Sequence, residues 1–523
     1  MGKIFEVKID RFDGGIKNDP RDPSENTCRV VTNFDILTNP RKMTPYRDSE
    51  SGDSSASTSQ KQNFCVGLWT GTNPDVYRLF SLGVVSGGGL AEILMKDLTT
   101  GASDDLDDAT WASSSYNASA SGATAFDLFV FYQKTGLIYG ARAGTNIWAF
   151  DPVGGAAFAD THAALTYTNI RQGLVHSKDD ILYIPYYYDG VSVAANIVSA
   201  IASKNGTGGI SATALSLPKQ FRANSICEKG NFLAIGLENV SGVGNSRVFL
   251  WDMDSMLATF SETVDIGDGN VKVLEDLNGE LVSISLSGAN SSRFKDKVYF
   301  RVVTSTGYEE IAVLEGGTST VLSSQKQKIN NRLYFLMSIS LNGAVREGVW
   351  SVGRNSEGLW TIVHERTPNN DTALTNGALK GFFFVGDFLF IASTNNAGTY
   401  QLLKTNNSES LTATSIYESK IFDNGDASLK KKLLGFSIIT EPLDDSPAAQ
   451  VVVKYKIDNE TSFTTFLTHD TDGAISDAAV NIESSGASLP EYKEIQFRIE
   501  STNGAVITGF SFKSEVTGRR SYN

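Results

Sequence analysis

The chain has 523 residues, 41% of them hydrophobic and 10% aromatic, which is enough to bury large cores and excludes a disordered polymer. Its net charge of −14 excludes a protein whose whole surface grips nucleic acid, because phosphate contacts need dense Lys and Arg. An acidic surface keeps a protein soluble, and it is also suited to line a passage through which DNA slides without sticking.

The first residues, MGKIFEVKID, alternate and lack an apolar run, so no secretory signal is predicted. No run of about 18 apolar residues follows anywhere, so no membrane partner is expected. Asp10–Pro23, DRFDGGIKNDPRDP, holds a glycine pair and two Asp-Pro breaks, and neither helix nor regular strand suits it. It reads as a preformed arm that leads into the first sheet or reaches a neighbouring subunit. Arg47–Gln62 is polar and reads as a linker or mobile loop.

From Asn63 onward, short β-branched and aromatic runs alternate with turns. Such units start near Asn63, Asp127, Asp179, Gly230, Asp296, Asn331 and Gly381. The spacing suits four-stranded blades of a β-propeller, in which each sheet buries its faces against its neighbours and few edges stay open. Six or seven blades are predicted; a long sandwich or a β-helix is the competing architecture. NIWAFD, VFLWDM and GVWSVG read as equivalent strands carrying packed Trp148, Trp251 and Trp350. Asp104–Thr124 is an acidic, Ser/Ala-rich excursion, read as a solvated projecting loop or a contact with a neighbour. Gly190–Gly206 is the one helix candidate, with a strand followed by a short helix as its alternative.

Near Thr412 the character changes. The strands that follow lack Trp and suit a small antiparallel sandwich; in EIQFRIE, Ile495, Phe497 and Ile499 share one face. The predicted fold is therefore all-β: an arm and linker over 1–62, a propeller over 63–412 and a sandwich over 413–523. Leu429–Leu434, LKKKLL, places Lys430, Lys431 and Lys432 together. They read either as a contact for DNA or an acidic neighbour, or as a solvated strand edge that discourages pairing.

Chemistry leaves little trace. Cys28, Cys65 and Cys227 are too few and too widely spaced for a disulfide framework or a zinc site, and read as buried thiols made in a reducing cytoplasm. His162, His176, His364 and His469 make no local metal pattern, and no nucleophile elbow, P-loop or dinucleotide fingerprint occurs. RNSEGLW (Arg354–Trp360) departs from the Asp-box spacing of sialidases and reads as a hairpin turn packing Trp360. DIGDGN (Asp265–Asn270) and HDTDGA (His469–Ala474) lack the twelve-residue calcium-loop spacing. No cofactor, metal or catalytic residue is predicted. The aromatic stretch Tyr183–Gly190 suggests an alternative, a receptor- or glycan-binding propeller that stacks sugars on Tyr186, Tyr187 and Tyr188. A propeller glycoside hydrolase is the second alternative, with no carboxylate pair to single out among 59 Asp and Glu.

The opening carries one resemblance. Phe12, Gly14, Gly15 and Ile16 form a Phe-x-Gly-Gly-Ile turn; Phe34, Asp35 and Ile36 follow in a strand, and Arg41 and Pro45 in a basic phrase. This resembles the first segment of the tail nozzle (tail-tube, or DNA stabilisation) proteins of short-tailed bacteriophages. The resemblance extends loosely over the chain, as a propeller followed by a sandwich whose start lies near Lys430, Lys431 and Lys432. It implies a structural virion protein without enzyme activity, made in the bacterial host cytoplasm and assembled as a hexameric ring. Such a ring stacks below the portal and adaptor, carries tail fibres, and retains genomic DNA that passes through without specific binding.

Overall fold

The computed structural model describes residues 3–19, 21, 26–47, 50–51, 59–67, 78–85, 91–97, 112–113, 126–142, 147–150, 159–162, 169–170, 172–188, 198–240, 245–254, 262–287, 297–316, 319–367, 379, 381–385, 388–394, 400–405, 414–445, 448–480 and 489–518. Among them every regular element is a β-strand. They form two compact units: Glu50–Ser340 with Ala373–Thr405, and Met1–Ser49 with Leu341–Thr372 and Asn406–Asn523.

The first unit is a ring of antiparallel sheets. The first sheet runs Ser59–Gly67, Arg78–Val85, Ala91–Asp97, Ala112–Ser113, and the second Phe126–Tyr132, Leu137–Arg142, Ile147–Phe150, Ala159–His162. The third runs Leu174–His176, Ile181–Tyr188, Val198–Lys204, Ile210–Ser216, with Asn169–Ile170 also on its second strand. The fourth is Phe221–Lys229, Phe232–Asn239, Arg247–Trp251, Glu262–Asp265, and the fifth Asn270–Leu277, Glu280–Leu286, Lys297–Thr304, Gly307–Glu315. The sixth position holds the hairpin of Thr320–Ile329 and Arg332–Leu341; the seventh holds Gly381–Val385, Phe388–Thr394 and Tyr400–Thr405. First strands of successive sheets adjoin, and that of the seventh returns to that of the first, so the ring closes at seven positions. Glu50–Ser51 closes the seventh sheet by pairing with Tyr400–Thr405, so an early segment latches onto a late one.

Local chemistry writes these sheets. Two-residue loops join first and second strands in the fifth and sixth positions, between Leu277 and Glu280 and between Ile329 and Arg332. Asn278-Gly279 and Asn330-Asn331 carry them with positive φ at both positions, as type I′ turns demand. Trp251 packs edge-on against Tyr183 at 5.6 Å, between the fourth and third sheets, in a core with Phe221, Ile235 and Phe249. Of the Trp strands, the side chain of Trp148 lies outside the described residues, while Trp251 and Trp350 are buried as expected.

The second unit is a sandwich. One sheet orders Ile4–Ile9, Ile507–Val516, Lys431–Thr440 and Ser476–Val480, with Glu491–Tyr492 on Lys431–Thr440. The other orders Ala344–Arg354, Trp360–Arg366, Cys28–Thr32, Ser415–Phe422, Ile495–Thr502, Gln450–Ile457 and Thr464–His469. Between them sit Phe422, Phe436, Phe497, Phe510 and Phe512, with the Phe497 ring 4.9 Å from both Phe436 and Phe512. Ile495, Phe497 and Ile499 do share the buried face.

Several boundaries differ from expectation. The arm belongs to the sandwich unit, because Ile4–Ile9 pairs with Ile507–Val516 and Cys28–Thr32 with Ser415–Phe422. Leu341–Thr372 joins it too, through Thr32 beside His364. Within the helix candidate, Val198–Lys204 is a strand, since its β-branched residues pair with Ile181–Tyr188; 189–197 lie outside the described residues. Ser59–Gln62, read as loop, begins the first strand of the ring. Residues 48–49 and 52–58, and the excursion at 104–124 apart from 112–113, lie outside the described residues. Among the described residues no helix is long and apolar enough to cross a membrane.

Candidate functional site

In the sandwich unit the opening segment is a buried strap. Phe12 is fully buried, meets Tyr417 edge-on at 5.7 Å, and donates its amide to the Pro40 carbonyl. Gly15 has φ of 72° and accepts the Cys28 amide, and the Ile16 amide donates to the Ile362 carbonyl. Gly14 donates to the Asn26 carbonyl. Phe34 and Ile36 are buried, while Asp35 caps its own turn by accepting the amides of Leu37 and Thr38. Pro45 lies beside Phe34 in a two-residue ladder, and Arg41 is exposed.

The strap also holds the RNSEGLW turn. Asn355 accepts the amides of Glu357 and Leu359 through Oδ1 and donates Nδ2–H to the Asp13 carbonyl at 3.2 Å. Ser356 donates to the Asp13 carboxylate, which Arg11 grips as well. Trp360 packs beneath the Arg354 guanidinium, 4.4 Å away.

The three lysines do not form one patch. Lys430 pairs with Glu491 on the surface; Lys431 is buried and donates to the carbonyls of Asp426, Leu429 and Lys493; Lys432 is half-buried. Lys431 and Lys432 open the strand Lys431–Thr440 and are paired on both sides, with Val516 and Glu515 and with Tyr492 and Glu491, which corrects the reading of a solvated edge for these two; Lys430 precedes the strand. Two open clefts of about 460 and 750 Å³ flank the strand Ile4–Ile9; the larger is lined by Lys3, Phe5 and Lys431.

The calcium-like loops have other occupants. Arg301 fills DIGDGN, donating Nη1–H to the carbonyls of Ile266 (2.7 Å) and Asp268 (2.6 Å) between the rings of Tyr299 and Tyr308. A guanidinium thus takes the carbonyl oxygens a cation would need. In HDTDGA, His469 is buried against the Thr440 hydroxyl, and the rest is a surface turn closed by the Ala474 amide on the Thr471 carbonyl. Among the described residues no group of three His, Cys, Asp or Glu is placed to hold a metal. His364 is stacked on Trp350 at 4.6 Å, and burial, aided by Arg346, pushes its pKa down to about 3, so it stays neutral. Cys28 and Cys227 are buried and burial raises both thiols, while the side chain of Cys65 lies outside the described residues. Tyr186 and Tyr187 are buried, which removes them as sugar-stacking platforms.

In the ring unit the polar chemistry concentrates where first strands meet. Among the described residues adjacent blades share no backbone ladder, and side chains bridge them. Gln172 of the third sheet donates to the Ile226 carbonyl of the fourth at 2.8 Å and accepts from Ser225. Ser225 in turn accepts the Leu274 amide of the fifth. Asn224 donates to the Val271 carbonyl, and Gln327 of the sixth position bonds both the amide and the carbonyl of Phe384 in the seventh, each at 2.8 Å. Lys326 of the sixth reaches back to the carbonyls of Ile226 and Leu274 and pairs with Glu275 at 2.8 Å. One carbonyl, that of Ile226, is therefore reached from both the third and the sixth positions. The third to sixth positions are thus tied together at this level, which suits a rigid scaffold. The sequence signal for these clasps is faint: polar residues interrupting otherwise apolar first strands.

Glu238 links the fourth and fifth sheets, between Lys272 (3.0 Å) and Arg222 (2.9 Å). Burial alone would raise its pKa, but Lys272 and Arg222 outweigh burial and hold it down at about 2. A depressed carboxyl contributes stability above its unfolded value of 4.5 and loses it as pH falls toward 2. The expected contribution at neutral pH is on the order of 3 kcal/mol. Urea melts of the Glu238→Gln variant and the parent should therefore converge between pH 4.5 and 2. Curves that stay parallel across that window overturn the assignment.

No known protein-family profile matches the chain, and no curated protein matches it. Among solved structures, the WD40 β-propeller domain of Doa1 aligns at 11% identity and TM-score 0.39, covering 70% of this chain and 98% of its own. A Trypanosoma rangeli sialidase solved with sialic acid aligns at 10% identity and TM-score 0.31, covering 99% of this chain and 96% of its own. The class rests on the sheets themselves: this is a β-propeller protein of seven blade positions with a β-sandwich unit.

Proposed function

We propose that the chain is a structural protein of a short-tailed phage tail, a nozzle subunit that works as a ring of copies and carries out no catalysis. The observation that carries this reading is the Phe12–Ile16 strap with Phe34–Ile36 and Pro45, the segment that resembles the nozzle proteins. Its glycines and apolar residues are all used in docking within the sandwich unit. A DNA passage would run between copies, in the ring that they form. The net charge of −14 suits the wall of such a passage, since like charges keep DNA from adhering. Portal, adaptor and fibre proteins are the expected neighbours.

Mass spectrometry of purified virions that encode the chain, with electron microscopy of their tails, tests the proposal. The expected result is this protein in the particle, as a six-fold ring around a central channel. Its absence from purified particles overturns the reading, and hydrolysis of a polysaccharide by the purified chain would replace it with a glycosidase.

A further inference from the structure

One face of the sandwich unit carries a dense charge arrangement with a surplus of cations. It is the face of Ser415–Phe422, Ile495–Thr502 and Gln450–Ile457 turned away from the aromatic core. Register sets Glu418 opposite Arg498 and Arg498 opposite Lys454, with Lys456 two residues further on. Arg346 and Arg498 both bond Glu418, and Lys454 bonds Glu500 at 2.6 Å. Arg29 adds a fifth cation close to Glu418, Asp19 and Lys456.

Five cations thus face three carboxylates, Glu418, Glu500 and Asp19, which leaves a surplus of two positive charges. Lys456 has no carboxylate partner among the described residues; it bonds the Asn342 amide oxygen and lies over the Phe463 ring, 4.9 Å away. Arg498 lies over the same ring at 4.3 Å. Arg346 is 8% exposed, and its Nε has no hydrogen-bond partner. Burial, with Arg498 and Arg29, lowers the pKa of Lys456 against the opposing pull of Glu418. Half-buried like charges repel strongly at short range, so such a cluster calls for a counter-charge.

A fitting counter-surface exists on the ring unit. The outer strands Glu262–Asp265 and Gly307–Glu315 adjoin, and they present Glu262, Glu309 and Glu310. Glu309 and Glu310 are exposed, none of the three has an ion pair among the described residues, and Tyr308 beside them is 41% exposed. We propose that the cationic face docks the acidic rim of a second copy, with Lys456 and Arg498 receiving Glu309 and Glu310. Two different patches of one chain then meet head to tail, the kind of contact that closes into rings and not into two-fold dimers. The inference rests on the ring reading and supplies its contact.

Sedimentation velocity of the full chain tests it by charge exchange. Parent self-association is expected to weaken as salt rises. Lys456→Glu is expected to weaken it tenfold or more, while its melting temperature holds or rises because the new carboxylate faces Arg498 and Arg29. Glu309→Lys with Glu310→Lys is expected to weaken it similarly, and the combined triple variant to restore it. Rings unaffected by Lys456→Glu would discard this surface and keep the ring reading. A chain monomeric at every concentration would discard both. Failure of the triple variant to restore association overturns the pairing; Lys456-dependent binding of a short DNA duplex would then assign the face to nucleic acid.

Discussion

Replacing Gly14 by alanine is expected to cost the sandwich unit about 3 kcal/mol or more. A Cβ at Gly14 would lie 2.3 Å from the Asn26 carbonyl oxygen, 2.4 Å from its carbon and 2.8 Å from the Thr27 nitrogen. All three are backbone atoms, so no rotamer change relieves the contact. The close approach cannot relax either, because the Gly14 amide donates to that same oxygen. The neighbouring residue leaves no slack: Gly15 has φ of 72°, and a Cβ there would lie 2.9 Å from the Ile362 carbonyl oxygen. Displacing the pair would pull Phe12 from Tyr417 and Ile16 from its bond to Ile362. Urea denaturation of the full chain measures the loss. Lys8→Ala, which breaks only a surface pair with Asp10, is the control and should change stability by under about 1 kcal/mol. A Gly14→Ala loss no larger than the control's would mean the strap is not docked through this turn.

The strap also marks what the sequence makes legible. Local chemistry was readable in the glycine pair and in the alternation of Ile495–Glu500, which each encode geometry within a few residues. A propeller of six or seven blades was readable because every blade must repeat a hairpin and a packed aromatic such as Trp251, but the count of seven was not. Partners distant in sequence were not. Nothing near Cys28 announces pairing with Ser419, and Ala344–Arg366 has the composition of blade strands although it folds with the sandwich. The misread lysines show the same limit. LKKKLL looks solvated in one dimension, yet Lys431 turns inward because three carbonyls converge there from Asp426, Leu429 and Lys493. The cationic face was hidden for the same reason, since Arg29, Arg346, Lys456 and Arg498 come from four separate strands or turns. Only the alternation of Lys454 and Lys456 in QVVVKYKI hints at a charged face opposite a buried one.

Glu418→Gln is expected to be comparably damaging, at about 3–5 kcal/mol, because it removes the negative centre of that face and leaves its cations buried. Glu418 is wholly buried; Arg498 donates Nε–H to it at 2.8 Å, Arg346 lies at 3.5 Å, and Asn342 donates its amide. A glutamine keeps the shape and part of the hydrogen bonding but none of the charge. Most of the expected cost is thus the desolvated guanidinium of Arg346, already lacking a partner at Nε. The same logic predicts the rescue. Adding Arg346→Met to Glu418→Gln removes the orphaned charge, keeps an apolar stem of similar length, and should recover part of the stability. A surface network would behave differently: screened by solvent, it would lose about 1 kcal/mol or less and show no gain from the second change. Urea denaturation of the parent, the single and the double variant separates the two outcomes. It also bears on assembly: Glu418→Gln raises the surplus positive charge beside Lys456, so where the variant stays folded it should bind an acidic rim at least as tightly as the parent.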